Sequence, residues 1–140
     1  MNTNDVVETL VDCRGVWKIF GDRAPAAMQA YRERGLTKTQ ILQDYGCVVG
    51  VSKVHLQVRR GEIFCIMGLS GSGKSTLIRV LNRLIVPTSG EILVKGRDIA
   101  QLDAAALREV RAKHIGMVFQ SVALLPHRTV LENAAFGLEV

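Results

Sequence analysis

The chain has 140 residues, of which 48% are apolar and 22% charged, with a net charge of +5. That is about one domain's worth of polypeptide, with the composition of an ordinary soluble globular protein. No stretch approaches about 18 uninterrupted apolar residues, which excludes a transmembrane helix, and MNTNDVVETLVDCRG (1–15) carries acids before any base and has no apolar signal-peptide core.

Cys13, Cys47 and Cys65 form no C-x-x-C pair and cannot all pair with one another, so a reducing cytosolic setting is expected. The three histidines lie far apart, without the spacing of metal ligands. The bases are scattered and do not interleave with aromatic residues, so nucleic acid is not an expected partner.

In chain order, residues 1–12 read as a polar tail and RGVWKIF (14–20) as a first strand. Pro25 suits the first turn of a helix running through AAMQAYRER to Gly35, a good residue for a left-handed C-terminal cap. Thr37 with Gln40 makes a capping-box pattern that opens a second helix, KTQILQDY, stopping at Gly46. VVGVSKVHLQV (48–58) is β-branched and partly alternating, hence a strand, turned by RRGE.

EIFCIM (62–67) is short, nearly all apolar and flanked by glycines, the pattern of a strand buried on both faces, with Cys65 as a small hydrophobe. KSTLIRVLNRLI places Leu77, Leu81 and Leu84 on one helical side and ends before Pro87. EILVKGRDI reads as a hairpin turning at Lys95-Gly96, and Asp103 as the cap of AAALREVRA. HIGMVFQ (114–120) reads as another buried strand. TVLENAAFGLEV (129–140) gathers Val130, Leu131, Ala134, Ala135 and Leu138 on one helical face. That pattern runs to Val140 without a cap, which suggests the N-terminal part of a longer protein.

GLSGSGKST (68–76) fits G-x-x-x-x-G-K-[ST], the phosphate-binding P-loop. A polyanion must approach backbone N–H groups that a Cβ would obstruct, and Gly68, Gly71 and Gly73 leave that approach open. Leu69, Ser70 and Ser72 complete the loop. The following helix turns its unpaired N–H groups toward the phosphates. Lys74 supplies a mobile cation for the β- and γ-phosphates, the Ser75 hydroxyl is placed for Mg²⁺, and Thr76 can donate to the α-phosphate. The strand–loop–helix context is the one the motif requires.

With the P-loop placed, the chain resembles the ATP-binding subunits of ABC importers, and among them the glycine betaine/proline/choline (quaternary-amine osmoprotectant) subfamily. The resemblance rests on KIFG (18–21), RGLTKTQIL (34–42), GEIFCIMGLSGSGKST (61–76), LNRLIVPTSGEI (81–92), REVRAKHIGMVFQ (108–120) and LLPHRTVLENAAFG (124–137). It implies an α/β fold, a P-loop NTPase (ABC ATPase) core with an N-terminal antiparallel β portion, spanning residues 13–140 and incomplete at the C-terminus. Residues 21–46 are similar to that subfamily's two-helix insertion.

The resemblance also implies roles for single residues. Phe20 falls where the family stacks an aromatic ring on adenine, and Gln120 on the Q-loop glutamine that helps ligate Mg²⁺ beside Ser75. His114 and His127 are expected to be surface or loop residues rather than catalytic ones. The implied cofactors are ATP and Mg²⁺. The implied partners are a transmembrane permease subunit, a second ATPase subunit and, indirectly, a solute-binding protein, at the cytoplasmic face of the inner membrane.

LSGSG (69–73) is similar to the family's LSGGQ signature, but it runs directly into Lys74 and Ser75 and is the P-loop instead. No second such string occurs, and no run of four apolar residues precedes an Asp as a Walker-B strand requires. The chain is therefore expected to bind Mg-ATP without turning it over efficiently. A small-molecule kinase, or a non-catalytic nucleotide-binding fragment, remains an alternative reading; a GTPase would carry N-K-x-D, which is absent.

Overall fold

The structure is a computed structural model that describes residues 8–120 and 124–139. Its elements run β1 (Thr9–Phe20), α1 (Ala24–Arg34), α2 (Lys38–Tyr45), β2 (Val48–Arg59), α3 (Lys74–Leu81), β3 (Ser89–Val94), β4 (Arg97–Asp98), α4 (Ala104–His114) and α5 (Val130–Glu139). The strands form one antiparallel sheet in the order β2-β1-β3-β4.

β1 starts at Thr9, because from Val11 onward it has a neighbour on each side, Val58 of β2 and Val94 of β3. Residues 9–12 thus belong to the sheet rather than to a polar tail, and residues 1–7 of that tail lie outside the described residues. β3 and β4 turn through Lys95 (φ 48°) and Gly96 (φ 76°), both left-handed, as a two-residue hairpin of this hand requires.

α1 and α2 occupy the connection between β1 and β2, which leaves the sheet at Phe20 and returns at its paired residue Val48. Pro25 sits in the first turn of α1, and Gly35 and Gly46 close the two helices with φ of 66° and 63°. Thr37 and Gln40 make both halves of the capping box. The two helices roof a small core of Trp17, Ile19, Ala27, Met28, Ile41 and Cys47. Since the excursion begins and ends at one cross-strand pair, β1 and β2 remain paired beside the P-loop.

The other core lies between the sheet, α3 and α4, built from Cys13, Val16, Val51, Leu77, Val80, Ile92, Ile99 and Val110. Asp103 caps α4 by accepting from the Ala106 amide at 2.8 Å. α3 ends at Leu81, earlier than its apolar pattern suggests. Arg83 adopts a positive φ of 55°, and Arg111 of α4 donates to the carbonyls of Asn82 (3.1 Å) and Arg83 (2.9 Å). Those carbonyls are satisfied from outside the helix, and Leu84 is exposed rather than continuing the Leu77–Leu81 stripe.

The two expected buried strands differ most from the sequence pattern. Residues 62–69 and 115–119 have no ladder partner among the described residues, and Ile63, Met67 and Val118 are exposed. Cys65 is likewise exposed rather than a core hydrophobe. Periodicity reports which faces a segment is suited to bury; a strand also needs a paired backbone, and none of the described elements supplies one.

Candidate nucleotide site

The loop between residue 67 and α3 is shaped by glycine. Gly71 and Gly73 take φ of 75° and 91°, and a Cβ on Gly73 would lie 2.1 Å from the carbonyl oxygen of Gly50. A Cβ on Gly68 would lie 2.8 Å from the Ser72 hydroxyl. At Gly73 the loop therefore lies flush against β2, and glycine is a steric requirement there, whereas the Gly68 contact is with a side chain of the loop itself.

Gly50 is the other half of that contact. The β1–β2 register passes from Lys18↔Val51 to Ile19↔Val49, so Gly50 is the extra residue of a bulge. A Cβ there would meet Phe20 Cε2 at 2.6 Å and Thr76 Cγ2 at 3.3 Å. The bulge brings three elements, the end of β1, β2 and the start of α3, to one point. Sequence reading did not single out Gly50, although a lone glycine within the β-branched run VVGV is a signal of close backbone approach.

α3 opens on Gly73, which provides no side-chain cap. The first amides of the helix thus face the loop without a side-chain acceptor, an arrangement suited to an anion. Lys74 Nζ donates to the carbonyls of Gly68 (2.7 Å) and Leu69 (2.6 Å), with Ser72 Oγ at 3.5 Å. The ammonium is folded back onto its own loop, where neutral carbonyls hold it and a polyphosphate could displace them.

One cleft of about 620 Å³ gathers most of the expected residues: Phe20, Ser70 through Thr76, and Gln120. Gly68 and Leu69 do not line it, and act through the carbonyls that hold Lys74. The remaining wall is Val48, Val49 and Gly50. His114 ends α4 and His127 lies in the turn before α5, both exposed and neither at the cleft.

The lining suits a nucleotide triphosphate. It joins an aromatic ring, open backbone amides and one cation, with no carboxylate to repel phosphate. Among the described residues no cluster of three His, Cys, Asp or Glu could hold a metal ion alone. Ser75 and Gln120 offer a hydroxyl and an amide oxygen, which fit a hard cation that arrives with phosphate oxygens and water.

The ABC transporter family model matches residues 51–139. The glycine betaine/proline betaine transport ATP-binding protein ProV of Salmonella typhimurium is 55% identical over 93% of this chain, which corresponds to 32% of that protein. The glycine betaine transport ATP-binding protein OpuAA of Bacillus subtilis is 54% identical over 89% of this chain and 30% of its own length. Among solved structures, a dimeric post-hydrolysis state of the ATP-binding cassette MJ0796, bound to ADP and Pi, superimposes with a TM-score of 0.71 at 29% identity. That match covers 92% of this chain and 47% of the cassette. The chain thus spans about a third of the curated relatives and about half of the solved cassette. With a P-loop cleft built on an antiparallel sheet, and with matches of this extent, the chain belongs to the ABC transporter family of ATP-binding cassettes.

Proposed function

We propose that this chain binds Mg-ATP in the Phe20–P-loop–Gln120 cleft, as the nucleotide-binding part of an importer's ATP-binding subunit. The observation that carries the reading is one cleft lined together by the Phe20 ring, the P-loop glycines and the Lys74 cation. Adenine stacks on Phe20. The triphosphate lies over the amides of α3 and draws Lys74 Nζ away from the Gly68 and Leu69 carbonyls. Ser75 and Gln120 would hold Mg²⁺, which would supply positive charge to offset that of the phosphates.

The names of the relatives support transport of glycine betaine and proline betaine; the proposed role of the intact subunit is uptake of such a quaternary amine, choline included, driven by ATP binding and hydrolysis. The partners are a transmembrane permease subunit, a second ATP-binding subunit and, indirectly, a solute-binding protein, at the cytoplasmic face of the membrane. The dimeric state of the similar cassette supports the second of these. No helix among the described residues is long and apolar enough to cross a membrane.

Equilibrium dialysis with labelled ATP and Mg²⁺ tests the site. Lys74→Ala removes a charged donor to phosphate and is expected to weaken ATP binding about 10- to 100-fold. Unchanged affinity would place the phosphates elsewhere. Phosphate release measured beside the same variant separates binding from turnover. The 140-residue chain is expected to release no more phosphate than the Lys74→Ala control, and clear release above it would show hydrolytic groups within these residues.

A further inference from the structure

We infer that Lys18 is a positioning residue for the base-stacking ring of Phe20, and thereby a determinant of affinity for the base rather than for the phosphates. The inference rests on the nucleotide-site reading above. Alternate residues of a strand share a face, so in K-I-F Lys18 and Phe20 project together while Ile19 is buried on the opposite side. Lys18 Nζ lies over the Phe20 ring, 5.1 Å from its centroid. No ion pair of Lys18 is found among the described residues, so no carboxylate draws the ammonium away from the ring.

Phe20 is shared by two cavities. Phe20 lines the nucleotide cleft and also a cavity of about 540 Å³ toward α1. Lys18 lines only the α1 cavity, in company with Gln29 and Arg32. Lys18 thus belongs with the α1 cavity rather than with the nucleotide cleft. Against the Gly50 bulge the ring is held by close backbone approach, with Cε2 2.6 Å from where a Cβ would be. Phe20 is 38% exposed, so these two contacts, rather than enclosure in a core, set its orientation. A cation on one side of a π-system is attracted to it and draws charge from the other side, which suits stacking on an electron-rich purine.

The test compares ATP with inorganic tripolyphosphate, which carries the phosphates without the base, in competition against labelled ATP. Lys18→Met is expected to weaken ATP about two- to fivefold, leaving tripolyphosphate unchanged. Lys18→Arg should restore ATP binding, since a guanidinium also sits on an aromatic face. In a Phe20→Leu background Lys18→Met should have no further effect. Equal weakening of both ligands by Lys18→Met would overturn the inference, because the lysine would then act on phosphate or on the fold. Unchanged ATP affinity in Lys18→Met, with Phe20→Leu still selectively weakening ATP, would overturn it alone. If Phe20→Leu also failed to separate the two ligands, the stacking reading would fall with it.

Discussion

Cys13 and Cys65 carry the same thiol in opposite surroundings. Cys13 sits in β1 at the centre of the larger core, whereas Cys65 lies exposed just ahead of the P-loop. Burial, with the Asp12 charge beside it, pushes the Cys13 thiol from an ordinary 9.0 up to about 12. The folded chain holds that proton more tightly than the unfolded chain does. Its contribution to stability is therefore complete below pH 9.0 and is lost as pH rises toward about 12. Urea midpoints measured from pH 8 upward should fall more steeply for the native chain than for Cys13→Ala; parallel curves would show that the thiol is not desolvated as described. The same contrast shows what sequence reading could not see. CRGVWKIF and EIFCIM are both apolar runs, but only the first has neighbours on both sides.

At the scale of elements, two helices begin on the same device with different chemistry. In α2 the Thr37 hydroxyl accepts from the Gln40 amide N–H, and the Gln40 side-chain oxygen accepts from Thr37 N–H at 2.8 Å. In α5 the Glu132 carboxylate accepts from Thr129 N–H (2.7 Å) and its hydroxyl (2.8 Å), and Glu132 N–H donates back at 3.3 Å. The backbone bond from Thr129, and then its hydroxyl, hold the Glu132 carboxyl below the usual range. A lowered carboxylate stabilises above its ordinary value of 4.5 and loses that contribution as pH falls through its folded value. Acidification should therefore lower the helical circular dichroism signal less in Glu132→Gln than in the native chain. Thr37→Ala should cost about 1 kcal/mol at any pH in this range, since an amide does not titrate. An acid loss of the same size in both chains would assign it elsewhere.

The TKTQ (37–40) cap was legible as letters because a cap is a local bond within one turn; TVLE (129–132) carries the same pattern but was not singled out in the sequence. The helix-closing glycines, the Lys95-Gly96 hairpin and the P-loop, whose geometry is local in the same sense, were legible too. The premature end of α3 was not, because Arg111, which satisfies its carbonyls, lies about thirty residues downstream on another helix. The cleft was half legible. Lys74 was legible in the P-loop motif, and Phe20 and Gln120 came only through the resemblance to the family, whereas the Gly50 bulge and the Lys18 ammonium depend on strand register that no motif spells out.

For the whole molecule, the two ends of the chain differ in how completely they are covered. β1, β2 and β3 pair along their lengths, and α1 and α2 bury their apolar residues on the sheet. At residues 62–69, 115–119 and α5 the balance changes. Ile63 is 91% exposed, Val118 97% and Leu138 92%, and the apolar face of α5 at Val130 and Leu131 is open as well. Apolar surface of this extent is a site for association when a partner is present and for self-association when it is not. Backbone at 62–69 and 115–119 without a ladder partner adds groups that a second copy could hydrogen-bond. The chain alone is thus expected to bind a hydrophobic dye such as ANS and to scatter light increasingly with concentration. Val118→Lys should reduce both, since it puts a charge on the most exposed of these segments and leaves the packed sheet untouched. Saturating Mg-ATP should also reduce the effect, by ordering the P-loop and Gln120 ends of the two segments through one ligand. A dye-silent monomer at all concentrations, with a single sharp melt, would mean that these apolar segments find cover within the chain itself.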